Sequence, residues 1–200
     1  MRKRRFLLLD GHTPIINKQV LELKRVILSE GDQVHIISPD EKSFGDILIL
    51  PHFEGFNTTT SAFCPHFSVP PPCSGSDQWV EFFRVNLLSY YVKKGIPLCG
   101  IGSGACILYS EVLKGKLDWI DGSIEPFRGD AAVFKFPNGS WDFYRGNVLG
   151  LPELNEDTVS EIRRHFFSTK NGGGDGSIPA EVPLTPPRTP LLLHKREERP

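Results

Sequence analysis

The chain is 200 residues long, carries a net charge of −1, and is 39 % hydrophobic and 24 % charged. That length sets a single domain, or one domain with a tail, and the near-neutral balance gives no reason to expect nucleic acid as a partner. A local basic cluster, Met1-Arg2-Lys3-Arg4-Arg5, reads as a solvated start before the first strand. The apolar run after it, Phe6 to Leu9, falls short of the roughly 7–15 residues of a signal peptide and the roughly 20 of a membrane span. A cytoplasmic chain with no membrane partner is therefore expected. Cys64, Cys73, Cys99 and Cys106 show no Cys-x-x-Cys spacing and are read as reduced thiols.

Arg5 to Asp10 is apolar and β-like, and ends in the loop Asp10-Gly11-His12-Thr13-Pro14. Between Ile15 and Glu30, the residues Ile16, Val20, Leu23 and Ile27 recur at helical spacing, and Leu21 and Leu28 widen the stripe. Gly31 supplies a stop. Gln33 to Ser38 reads as a second strand, broken by Pro39-Asp40. Phe44 to Leu50 reads as a third, and its carboxyl end runs into Pro51-His52-Phe53-Glu54-Gly55. Strand, helix, strand, strand with short links opens a parallel sheet covered by helices.

Residues 51–76 read as a long loop rich in Pro, Ser, Thr and Cys. It holds His52, Cys64, His66 and Cys73, which are ligand types for zinc, but their spacing fits no common zinc framework. No metal is expected there. Asp77 to Lys94 reads as a second amphipathic helix, with Val80, Phe83, Leu87, Leu88 and Tyr91 on its apolar face and Ser76 or Asp77 as its cap. Gly95 to Leu108 then reads as a short buried strand, a glycine-dense turn and the start of a helix that runs to Lys114 and stops at Gly115. In α/β proteins a ligand or nucleophile sits at such a junction, outside the carboxyl end of the strand. Its glycines let the backbone turn sharply and let another group come close.

Residues 117–150 change character. Val133, Phe134 and Phe136 precede Asn138-Gly139, and Trp141, Phe143 and Tyr144 follow it, a strong hairpin signal. An antiparallel excursion is thus expected to rejoin the main sheet near Asn147 to Leu151. Leu151-Pro152-Glu153-Leu154 leads into a last helix, capped by Asp157 or Thr158, with Val159, Ile162 and Phe166 as its apolar positions. From Ser168 the pattern collapses into a glycine run, Asn171 to Gly176, and a proline-rich stretch, Ile178 to Pro190. Such a composition cannot bury enough apolar surface to offset chain entropy, so residues 168–200 are expected to form a disordered tail.

Three segments resemble the class I glutamine amidotransferase domain, the triad glutaminase, over roughly residues 5–167. The family's elbow reads approximately Pro-Val-Leu-Gly-Ile-Cys-x-Gly-x-Gln-Leu-Leu, and Pro97-Leu98-Cys99-Gly100-Ile101-Gly102-Ser103-Gly104-Ala105-Cys106-Ile107-Leu108 follows it without a gap. The family's nucleophilic cysteine falls on Gly102 and its glutamine on Cys106. Val148 to Leu154 is similar in shape to the family's His-Pro-Glu motif, keeping Pro152 and Glu153 but placing Leu151 where the histidine stands. Pro51-His52-Phe53-Glu54-Gly55 keeps the proline and one glycine of the family's glycine-rich oxyanion segment.

The resemblance implies a doubly wound, mostly parallel α/β sheet of the flavodoxin-like glutaminase type, with helices on both faces and a β-hairpin excursion. It also implies lost chemistry. Glutamine hydrolysis through a thioester needs a thiolate, a base within hydrogen-bond reach and a group that orients the base. Gly102 has no side chain to attack with, Leu151 cannot accept a proton, and Glu153 alone orients nothing. No catalytic residue is therefore assigned. The crevice candidates are His52, Gly55, Gly100, Ser103 and Gly104, with His12 on a neighbouring strand-end loop; Asp10, at a strand's carboxyl end, reads as a turn residue. The expected function is a glutaminase-like domain that has dropped the reaction and acts as a binding or regulatory domain. Its partners would be a protein of synthetase-like or regulatory kind, or a small molecule in the crevice, with no cofactor. The alternative is a diverged amidotransferase or hydrolase with a relocated nucleophile, Ser103 or a cysteine. A serine elbow of the Gly-x-Ser-x-Gly kind would need glycine at position 101, which is Ile101. Cys99 and Cys106 read as small buried hydrophobes.

Overall fold

The computed structural model describes residues 2–10, 18–53, 87–120 and 123–167. Nine strands are present among them: β1 (Arg5–Leu9), β2 (Gln33–Ile37), β3 (Ile47–Leu50), β4 (Leu98–Ile101), β5 (Leu117–Ile120), β6 (Ser123–Pro126), β7 (Val133–Lys135), β8 (Trp141–Arg145) and β9 (Val148–Leu151). The described helices are α1 (Lys18–Ser29), α2 (Ser89–Lys93), α3 (Ser103–Glu111) and α4 (Thr158–Phe167). Seven strands form one sheet in the order β2-β1-β3-β4-β9-β8-β7. The first five are parallel; at one end β8 pairs antiparallel with β9, and β7 pairs antiparallel with β8. Counted along the chain, the parallel strands stand in the order 2-1-3-4-5, which is the flavodoxin-like arrangement. β5 and β6 pair with each other as a separate antiparallel ribbon.

The strands β3, β4 and β9 are buried along their whole length, because both faces of the sheet are covered. Period-two alternation then divides their side chains between two cores. Leu7, Leu9, Leu48, Leu50 and Leu98 pack with Tyr91 of α2 and with Ala105, Leu108 and Tyr109 of α3. Phe6, Leu8, Ile47, Ile49, Cys99, Ile101, Leu149 and Leu151 pack with Val20, Leu23 and Ile27 of α1 and with Val159 and Ile162 of α4. Two helices lie on each face, so the sheet is doubly wound. No helix of the described residues is long and apolar enough to cross a membrane.

Several boundaries differ from the sequence reading, each for a local reason. The third strand starts at Ile47 rather than Phe44, which is 72 % exposed. Asp46 ends the ladder there. Its carboxylate accepts the Arg5 N–H at 2.7 Å and its own N–H donates to the Arg5 carbonyl at 2.8 Å. The helix after the elbow ends at Glu111, and the left-handed residue beyond it is Lys114, at φ 56°, not Gly115. Gly115 is needed for space instead, since a Cβ there would run into the Tyr109 ring. The last helix is led by Asn155 rather than by Asp157 or Thr158 alone. Asn155 Oδ1 accepts the Asp157 N–H at 3.1 Å, and Thr158 Oγ1 accepts the Asn155 N–H at 2.8 Å, a reciprocal cap. The hairpin at Asn138-Gly139 joins β7 to β8, with Gly139 at φ 85°. As the sequence reading expects, it rejoins the main sheet there: a second two-residue turn, Gly146-Asn147, with Gly146 at φ 63°, returns β8 to β9. The start expected at Ile15, the helix before Leu87, the loop from Glu54 onward and the tail from Ser168 lie outside the described residues.

Candidate functional site

The carboxyl ends of β1, β3, β4 and β9 lie side by side, and a single residue joins β4 to α3 there. β4 delivers Ile101 into Gly102, whose φ of 56° and ψ of −119° lie where only glycine is unstrained. The Gly102 N–H donates to the Leu151 carbonyl of β9 at 2.8 Å, and its carbonyl accepts the N–H groups of Ala105 (3.0 Å) and Cys106 (3.2 Å) to start α3. Two further glycines make this turn fit. A Cβ on Gly100 would strike the backbone of Gly104 and Ala105, so the helix could not fold back over its own strand. A Cβ on Gly104 would strike the carbonyls of Leu50 and Pro51, so α3 could not cross the end of β3.

The segment leaving β3 is bonded directly to this turn. His52 Nδ1 accepts the Ser103 N–H at 3.2 Å, and Ser103 Oγ accepts the Phe53 N–H at 2.9 Å. With Nδ1 acting as acceptor, the neutral imidazole carries its proton on Nε2. The His52 backbone N–H donates to Gln19 Oε1 at 2.9 Å, which anchors the same segment to the first turn of α1. Ser103 is 8 % exposed and Phe53 3 % exposed, whereas His52 between the two segments is exposed. A Cβ built on Gly102 would lie 2.6 Å from His52 Nδ1 and 3.2 Å from His52 Cβ. The place where a side chain at position 102 would begin is occupied by the His52 ring.

The remaining sequence-selected residues are placed as follows. Leu151 is 4 % exposed, gives its carbonyl to Gly102 and buries its side chain among those on the α1 and α4 face. Glu153 stands two residues beyond β9 and is exposed. Cys99 is fully buried on the α1 and α4 face, and burial raises its thiol pKa far above the ordinary value. That is the opposite of what activates a cysteine. Cys106 is buried within α3. Ser103 Oγ donates to no described residue, so no base is in place to activate it among them. Asp10 closes β1 by donating its N–H to the Ile37 carbonyl at 2.9 Å. Gly55, His12, Cys64, His66 and Cys73 lie outside the described residues. Among the described residues no group of three His, Cys, Asp or Glu side chains could hold a metal. Gln19 and Phe53 were not selected from the sequence, and neither carries a local signal there. Their part in the site comes from the approach of α1 and β3 to the elbow.

No family model matches the chain, and no curated protein matches it in sequence. One solved structure stands out. The chain is similar to a glutamine amidotransferase from Thermotoga maritima, solved at 1.70 Å, with 14 % identity, a TM-score of 0.41 and 76 % of each chain covered. The α/β assignment rests on the strand order and the two covered faces described above.

Proposed function

We propose that this chain is a glutamine amidotransferase-like domain without glutaminase activity, which works by binding as a regulatory or partner-recognising domain. One observation carries the reading: the ideal Cβ position of residue 102 lies 2.6 Å from His52 Nδ1, so a side chain could begin on this elbow only if His52 moved. The N–H that follows a nucleophile on such an elbow commonly serves as an oxyanion donor. Here the corresponding N–H, that of Ser103, is spent on His52 Nδ1. Attack and charge stabilisation are thus both without their groups, while the strand, turn and helix persist.

The test is glutamine hydrolysis by the purified full chain, run beside labelling with a glutamine-analogue diazo-ketone. Neither turnover nor adduct is expected. Steady turnover that disappears on Ser103→Ala or Cys106→Ala would overturn the reading and favour a relocated nucleophile. A pull-down with and without residues 168–200 then asks whether the domain or the tail retains a partner.

A further inference from the structure

Among the described residues no strand pairs with the outer side of β2, and the chemistry of that edge is asymmetric. Gln33 donates its N–H to the Arg4 carbonyl at 2.8 Å, and the Ile37 carbonyl accepts the Asp10 N–H at 2.9 Å. Bonding alternates along a parallel strand, so Gln33, His35 and Ile37 turn their backbone groups to β1. Val34 and Ile36 turn theirs away from the sheet, and no described strand pairs with them. The strand Gln33-Val34-His35-Ile36-Ile37 contains no lysine, no proline and no bulge, the devices that ordinarily blunt an edge.

An open groove of about 530 Å³ wraps this edge, lined by Lys3, Arg5, Leu28, Gln33, Val34 and His35 among others. Its two sides differ. The in-register pairing puts Gln33 and His35 on the same face as Arg5 and Leu7. Lys3 and Arg5 have no ion-pair partner among the described residues, because the neighbouring carboxylates are engaged: Asp46 with Arg2, Glu41 with His35 and Asp32 with Arg163. That side therefore presents the two cations Lys3 and Arg5. On the other face Val34 and Ile36 pack only partly against the α1 core, and Leu21 and Leu28 of α1 are 47 % and 48 % exposed. That side offers Leu28 and Val34, with Asp32 of the same lining held by Arg163.

We infer that the β2 edge takes an extended peptide segment of a partner protein as an added strand, one whose side chains alternate acidic and apolar. Main-chain bonds to Val34 and Ile36 would hold it, and the period-two alternation of a strand would send every carboxylate to Lys3 and Arg5 and every apolar side chain to Leu28 and Val34. A second copy of this chain suits the edge less well. It would bring its own Lys3 and Arg5 to a face that already holds these two cations.

The experiment uses the full chain and two terminally blocked peptides, one alternating Glu and Val, the other alternating Lys and Val. The Glu-Val peptide is expected to bind, to lose affinity as salt rises, and to protect the Val34 and Ile36 amides from hydrogen exchange while leaving those of Gln33, His35 and Ile37 unchanged. The double variant Lys3→Glu/Arg5→Glu is expected to shift preference toward the Lys-Val peptide by about tenfold or more. Equal binding of both peptides, or of neither, overturns the inference. So does protection of the Val34 and Ile36 amides in the unliganded monomer, or their protection through a concentration-dependent dimer.

Discussion

Gly102 is the residue on which the local geometry turns. Any side chain there must adopt φ 56° and must displace His52. Gly102→Ala is expected to destabilise the domain by about 1–3 kcal/mol from backbone strain, with the His52 contact adding to it. In a His52→Ala background only the strain should remain, so a urea double-mutant cycle is expected to show a coupling of about 1 kcal/mol. Equal costs in the two backgrounds would mean that His52 yields freely. A second residue sets a pH dependence. Burial, with Glu161 nearby, pushes the Asp142 carboxyl up to about 6, against a smaller opposing effect of Arg164. A carboxyl whose folded pKa is raised favours folding when protonated, so its contribution is present below about pH 4 and is lost as pH rises through 6. Asp142→Asn is expected to stabilise the chain at pH 7 by about 1 kcal/mol once solvent screening at this half-buried position is allowed for, and to leave stability at pH 4 nearly unchanged. Thermal unfolding at the two pH values reads this directly. The three glycines of the elbow were legible in the sequence because their spacing is local. The filling of the Gly102 space by His52 was not, since it depends on β3 and β4 ending side by side.

Among the elements, α4 shows how a helix is fixed at its start and its middle by groups outside its apolar face. Its start is closed by the Asn155 and Thr158 pair, and Asn155→Ala is expected to cost about 1 kcal/mol in urea unfolding. Its middle is tied to the turn between α1 and β2 by Arg163, which meets Asp32 at 2.5 Å and also Glu30. Asp32 additionally accepts the Arg4 N–H at 3.1 Å, so the same carboxylate steadies the start of β1. Removing the cation leaves two partly buried carboxylates together. Arg163→Ala is expected to cost about 2 kcal/mol, between the values for exposed and buried pairs, with Arg163→Lys recovering part of it. The apolar stripe of α1 was readable because Val20, Leu23 and Ile27 all face one core at helical spacing. The cap at Asn155 was missed because Asp157 and Thr158 are equally good cap types, and only the three-dimensional bond pattern separates them. The Gly146-Asn147 turn was missed for a similar reason: it lies between two strands without the flanking change in composition that marked Asn138-Gly139.

At the scale of the molecule, the elbow sits in the middle of the sheet rather than at its rim, with β3 on one side of β4 and β9 on the other. The pairs β3 with β4 and β4 with β9 join segments far apart in sequence, while β7, β8 and β9 are linked by short turns. In native-state hydrogen exchange, the amides of Leu98 to Ile101 are expected to be the slowest of the sheet, and those of β7 and the outward-facing positions of β2 the fastest. Fast exchange throughout β4 would contradict this placement of the elbow. The crowding at Gly102 also limits which changes can accumulate. A lineage that regains a side chain at position 102 must also move or replace His52, and either change gives up the acceptor of the Ser103 N–H. Each single change carries a cost of its own. A valley between two sequences thus separates the present elbow from one that could present a reactive atom, and laboratory attempts to install a nucleophile will need both positions randomised together.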